Sequence, residues 1–194
     1  NVAEDADCRA LAAAVDARWG RIDVLVNNAG TTKFVHVRHF DGLDAADFQR
    51  IYGVNVVGAF QMVRACTPLL QKNPGSAVVN ISSIAAATGL GSCLAYAASK
   101  GALNTLTLSL ARALGPAVRV NAIAPGLVET PWLQNGMGAE KYAAGVEAYK
   151  ARTALADIIV PEDIARTAWY LGVDALKTTG EVLLVDAGTK VPPP

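Results

Sequence analysis

Short apolar runs bounded by turn residues alternate with longer stretches of helical periodicity along the whole chain. Asp23-Val-Leu-Val-Asn27, Ala77-Val-Val-Asn-Ile-Ser82, Val118-Arg-Val-Asn-Ala-Ile-Ala124 and Glu181-Val-Leu-Leu-Val185 read as buried strands, because their apolar residues are nearly continuous rather than alternating. Between them the pattern predicts helices. Asp5 is placed to cap one that reaches Trp19 and stops at Gly20. Asp44 caps a long one that continues to about Leu70, another runs from Tyr96 to Leu114, and Pro161 opens a further one. This alternation predicts an α/β fold: a doubly wound parallel sheet with helices on both faces, in a single domain. A mixed segment spans Pro131 to Val160, and residues 191–194 form an expected disordered tail.

Composition narrows the class. The chain of 194 residues is 52% apolar and 18% charged, which suits one packed core rather than a disordered segment. Seventeen basic and 17 acidic residues are interspersed and give zero net charge, so nucleic acid is not an expected partner. Apolar runs are interrupted well before a membrane span is reached, and no membrane partner is expected. Cys8, Cys66 and Cys93 are far apart and fit neither a disulfide framework nor a metal motif, so reduced thiols in a cytoplasmic protein are expected, with no metal.

Candidate chemistry collects at strand ends. The first run leads into Asn27-Asn-Ala-Gly30, the second into Ser82-Ser83, the third into Pro125-Gly126. In an open parallel sheet, ligands bind outside the carboxyl ends of the strands, so these three ends point to one crevice. Glycine and serine also serve simple strand-to-helix turns, and for any one end that reading is equally good. Tyr96 and Lys100 stand at i and i+4 on a helix and share a face. An ammonium beside a phenol favours the phenolate, which makes tyrosine a usable acid/base near neutral pH. Alone, the pair also reads as a solvated helix pair. Ser83 precedes Tyr96 at a strand end, where its hydroxyl is placed to donate to a carbonyl. Asn55 interrupts the apolar stretch Tyr52-Gly-Val-Asn-Val-Val-Gly-Ala-Phe60; its buried amide needs partners, either neighbouring backbone or a water that relays protons.

The ordered set Asn27-Asn-Ala-Gly30, Asn55, Ser83, Tyr96-x-x-x-Lys100 and Pro125-Gly126 resembles the motif series of the short-chain dehydrogenase/reductase family, over nearly the whole chain from Asn1 to about Gly188. The resemblance implies a Rossmann-like domain over residues 1–190 and hydride transfer between NAD or NADP and a secondary alcohol or ketone. It implies Tyr96 as acid/base, Lys100 as the cation that lowers the Tyr96 pKa and bonds the nicotinamide ribose, Ser83 on the carbonyl, and Asn55 in a water-linked relay. Asn27, Ala29 and Gly30 would lie beside the adenosine half, with Asn1 at the adenine. Pro125 and Gly126 would border the nicotinamide, and Val128 and Thr130 its carboxamide.

Departures from the family pattern qualify this. Its Gly-rich turn, Thr-Gly-x-x-x-Gly-x-Gly, has no counterpart; Gly89-Leu-Gly91 lacks the third glycine and falls nearer a substrate pocket. The first βαβ portion, on the order of 50–60 residues, is therefore expected to be missing. Asp186-Ala-Gly188 stands where Asp-Gly-Gly is usual. Residues 131–160 are expected to form a substrate lid. Leu90, Cys93, Leu94, Trp132 and Leu133 are expected to line an apolar substrate pocket. His36 and His39 read as solvated loop residues, and Trp19 and Trp169 as packing groups. By resemblance, the helix from Asp44 (Val54, Val57, Phe60, Val63) and that of Tyr96 (Leu103, Leu106, Leu110, Leu114) pair across two-fold axes to give a homodimer or homotetramer, with Met62 and Leu108 adding apolar area. Two alternatives stay open: a 3-oxoacyl-thioester (acyl carrier protein) reductase, and a catalytically silent dinucleotide-binding or scaffold protein. The joint presence of Asn55, Ser83, Tyr96 and Lys100 argues against the silent protein.

Overall fold

Four strands pair in parallel, in the spatial order of the sequence, in a computed structural model that describes residues 1–191. They are β1 (Val24–Asn27), β2 (Ser76–Ile81), β3 (Val118–Pro125) and β4 (Val182–Val185). Every position of β3 is buried, as is all of β2 but Ile81. Such strands have no solvent side, hence their unbroken apolar runs. Of the expected tail only Val191, exposed, falls within the described residues.

Helices cover both faces. On one lie α1 (Asp5–Trp19), α3 (Ala59–Leu70) and α5 (Leu94–Leu114), where Cys8, Ala12, Val63, Leu70 and Leu110 meet Val78 and Val120. On the other, α8 (Pro161–Trp169) and the π-helical segment Tyr170–Asp174 bring Leu171 against Val79 and Ile123. Side chains alternate along a strand, so neighbours Val78 and Val79 serve opposite faces.

Local chemistry explains most element ends. Gly20 closes α1 at φ 70°, donating to Asp16 O. Asp44 and Asp47 form a reciprocal capping box at α2 (Ala45–Tyr52). The cap of α1 is Glu4 rather than Asp5, whose carboxylate is instead held by Arg9 and Arg64. The single helix expected from Asp44 to Leu70 is broken in register by a π-helical segment, Gly53–Gly58. A Cβ on Gly58 would lie 2.8 Å from Val2 Cγ2, so the glycine lets the N-terminal segment lie against the helix. Met62, expected to add surface area, is instead 6% exposed within the core.

Arg119, on β3, is 8% exposed and has no acidic partner among the described residues. Its guanidinium donates to the carbonyls of Leu171 (2.7 Å), Gly172 (2.8 Å) and Ala175 (3.0 Å). Longer bonds reach Gly75 and Thr178 (3.4 and 3.5 Å). These carbonyls belong mostly to the C-terminal end of the α8 and π-helical run, where the helix dipole is negative.

Candidate active site

The carboxyl ends of β1, β2 and β3 and the first turns of α5 converge. Cys93 caps α5, its thiol accepting from Tyr96 N at 3.4 Å. The next two turns carry Tyr96, Ser99 and Lys100. Lys100 is 4% exposed and its Nζ donates to Ile81 O at 2.7 Å, at the end of β2. Burial lowers its pKa to about 8. The same Nζ stands 5.6 Å from the Tyr96 ring centroid.

Burial pushes the Tyr96 phenol upward, while Ser83, within hydrogen-bonding reach, works the other way. The expected lowering by Lys100 is therefore not the dominant influence: the ammonium is aimed over the ring at Ile81 O rather than at the phenolic oxygen. Ser83 Oγ accepts from Ala85 N at 3.1 Å, which fixes the hydroxyl at the start of α4 (Ala85–Thr88).

Asn55 is 1% exposed in the π-helical segment. Its Oδ1 accepts from Thr31 N at 2.8 Å, and its Nδ2 donates to Thr31 O at 3.0 Å and Ser99 Oγ at 3.0 Å. Ser99 Oγ donates in turn to Tyr96 O at 2.7 Å. The side chain thus clamps the loop after β1 to the helix that carries Tyr96. A Cβ on Gly30 would lie 3.6 Å from Asn55 Oδ1 and 3.8 Å from Lys100 Nζ, so the three residues meet in one place.

The other expected site residues divide. Ala29 and Gly30 are exposed beside Lys100. Asn27 turns inward: its Nδ2 donates to Asn80 Oδ1 at 2.9 Å, and Asn80 to Thr107 Oγ1 at 2.9 Å, bracing β1, β2 and α5. Asn1 is exposed, its Oδ1 accepting from Ala3 N at 3.1 Å. Pro125 is buried and its carbonyl accepts from Ile84 N at 2.9 Å. Gly126 admits Tyr149, whose Oη would lie 1.9 Å from a Cβ there. Val128 bridges Ile159, but the bonds run through Leu127 O and Glu129 N, which leaves its own N–H and C=O turned away from Ile159. The Thr130 hydroxyl is not spent on capping α6 (Pro131–Met137). Leu90 and Trp132 are exposed, and Leu94 and Leu133 half-buried. Cys93 is 1% exposed and packs with Ile51 and Ala95 instead of lining an open surface. Two residues without a sequence signal of their own join the region: Tyr149, donating to Asp186 O at 2.7 Å, and Phe34, against Trp132.

The family profile described as enoyl-(acyl carrier protein) reductase matches residues 1–190. A putative ketoacyl reductase of the granaticin polyketide synthase from Streptomyces violaceoruber is 43% identical over 188 residues, covering 97% of this chain and 74% of that protein. The chain belongs to the short-chain dehydrogenase/reductase family. Another relative is a 3α-hydroxysteroid dehydrogenase from Mediterraneibacter gnavus, 35% identical over 96% of this chain and 72% of that one. A crystal structure of a putative short-chain dehydrogenase/reductase from Burkholderia xenovorans superposes with a TM-score of 0.89 at 42% identity, over 98% of this chain and 74% of that one. As a short-chain dehydrogenase/reductase, the protein is an NAD(P)-dependent oxidoreductase that transfers hydride.

The residues present fit a nicotinamide cofactor. One of the three Lys100 donors is spent on Ile81 O, leaving others for sugar hydroxyls beside the small Ala29 and Gly30. The outward N–H and C=O of Val128 and the uncommitted Thr130 hydroxyl offer the donors and acceptor that a carboxamide requires. Among the described residues, no group of three or more His, Cys, Asp or Glu side chains is placed to hold a metal, and no helix is long and apolar enough to cross a membrane.

Proposed function

We propose that this chain interconverts a secondary alcohol and a ketone, with Tyr96 as the acid/base. Supporting this is the buried Lys100 ammonium, held by Ile81 O over the Tyr96 ring with Ser83 beside the phenol. Bound in the crevice, the nicotinamide supplies or accepts the hydride. Ser83 polarises the carbonyl and Tyr96 moves the proton at its oxygen. Lys100, whose charge is incompletely compensated by one carbonyl, favours the phenolate left when the proton is transferred and donates to the ribose. Asn55 keeps the loop after β1 in register with α5 and sits on the route by which the proton leaves. Ala29, Gly30, Pro125, Gly126, Val128 and Thr130 flank the cofactor, and Asn1 meets its adenine. Either NAD or NADP suits these residues.

Among the described residues the outer edge of β1 has no strand partner, and beside it an apolar groove of about 750 Å³ is lined by Leu11, Trp19, Val24, Met62, Trp169 and Val173. A 3-oxoacyl thioester is the second substrate reading, favoured by the likeness to the ketoacyl reductase.

Replacing Tyr96 by phenylalanine removes the transferable proton and little else. Turnover of ketones should fall at least about 10³-fold with the nicotinamide Kd within about twofold of the parent. Full turnover in Tyr96→Phe would refute the assignment. Turnover of 3-oxoacyl thioesters in preference to free ketones would select the second substrate reading.

A further inference from the structure

Phe34 links two segments that leave the carboxyl ends of different strands. The loop after β1 is fixed at its base: Val35 N donates to Ser92 O at 2.9 Å, the Thr32 and Ser92 hydroxyls hydrogen-bond, and Lys33 Nζ pairs with Asp47 at 2.6 Å. Val35 packs into the cluster that contains Cys93 and Tyr96, and the neighbouring Phe34 is turned the other way, onto α6. There its ring meets Trp132, with centroids 6.1 Å apart and planes at 58°. Gly136 is i+4 from Trp132, on the same face of α6. A Cβ on Gly136 would lie 2.0 Å from Phe34 Cε2, so only glycine leaves the notch that receives the ring. The Phe34 ring thus fills the space that an alanine Cβ at this position would take.

We propose that Phe34 is a specificity-determining residue that, with Trp132, forms an aromatic wall selecting ketones on a flat, apolar ring system over small acyclic ketones. This rests on the alcohol/ketone reading above. Both rings leave substantial apolar surface open, Phe34 37% and Trp132 47% exposed, which favours an apolar occupant. Aromatic faces and edges favour a planar one. Phe34 stands on the loop tied to Ser92, four residues before Tyr96, and Trp132 on the helix that begins after Thr130, so both rings are carried by segments that leave the carboxyl ends of β1 and β3.

The test uses 2-tetralone as the flat ketone and 2-butanone as the small one, with the full chain. The kcat/KM preference for 2-tetralone should fall about tenfold in Phe34→Ala, through KM rather than kcat. Gly136→Ala should shift it in the same direction by displacing the ring, while its helix propensity improves. Saturable quenching of tryptophan fluorescence by 2-tetralone should weaken about tenfold in both variants, whatever their turnover. An unchanged preference and unchanged quenching in both variants, with Tyr96-dependent turnover intact, would overturn the role of Phe34 alone. Ketone turnover that survives Tyr96→Phe would overturn the underlying reading, and a parent enzyme that prefers 2-butanone would overturn the aromatic wall.

Discussion

Asn55 pairs with both backbone groups of Thr31: the side-chain oxygen accepts from the Thr31 N–H at 2.8 Å and the side-chain nitrogen donates to the Thr31 carbonyl at 3.0 Å. The amide acts as a short piece of strand, pairing with a loop that has no strand partner at that point. Asn55→Ala leaves both backbone groups of the half-buried Thr31 without this partner and removes the donor that the buried Ser99 Oγ accepts from. We expect a loss of about 2–4 kcal/mol in urea unfolding, since each orphaned group costs about 1–3 kcal/mol. Asn55→Asp retains the acceptor but sets a carboxylate against the Thr31 carbonyl, and should be less stable at pH 8 than at pH 5. Equal stability of Asn55→Ala and the parent would refute the clamp.

Lys100 gives a stability signature with a defined sign. Its folded pKa of about 8 lies below the ordinary lysine value of 10.5. The buried ammonium therefore carries a penalty that is fully present below pH 8 and is relieved as pH rises toward 10.5, where the unfolded chain binds more protons. The parent should gain stability between pH 8 and 10, against a slope that is flatter in Lys100→Met. At pH 7 that variant escapes roughly 3 kcal/mol of penalty, less the bond to Ile81 O, and should be more stable by about 1–2 kcal/mol although inactive. Chemical denaturation at pH 7 and 10 checks both signs.

Gly126 and Tyr149 form a matched pair. A Cβ on Gly126 overlaps the tyrosine hydroxyl that donates to Asp186 O. Gly126→Ala should cost about 1–3 kcal/mol through overpacking. In a Tyr149→Phe background the same substitution should cost at least about 1 kcal/mol less, because the clashing oxygen is gone. Additive losses in the double variant would show that the glycine is retained for another reason.

Val57, Phe60 and Leu108 leave apolar area on the outer side of α3, α5 and the π-helical segment, 41–48% exposed, with Phe48 39% exposed on α2. Pairing of these surfaces between copies would cover them. The protein should scatter light as a dimer or tetramer, and Val57→Asp with Leu108→Asp should yield monomers. A monomeric parent would sink this.

What the sequence made legible was local. The strand cores, the glycine stop at Gly20 and the Asp44 cap follow from near-neighbour chemistry and are seen within a residue or so of their expected bounds. Ser83, Tyr96 and Lys100 were legible from a strand end and a shared helix face, whereas Asn55 was placed with them only by the resemblance to the family. Three things were hidden. The close packing of Val2 on Gly58, at the end of the π-helical segment, joins residues far apart in sequence. The inward turn of Asn27 depends on Asn80 and Thr107. The notch at Gly136 is meaningful only once Phe34 is seen across it. Each is a tertiary contact between residues that carry no mutual signal along the chain.

The Arg119 guanidinium also makes β3 dependent on elements that come later in the chain. It sits on β3, yet the carbonyls that take up its charge lie mostly at residues 171–178. As the chain emerges during synthesis, β3 is made well before those carbonyls exist, and a bare guanidinium cannot be buried beside β2 without large cost. In the folded chain the charge on the central strand is compensated by the α8 and π-helical run, so β3 and those carboxyl-terminal elements stand or fall together.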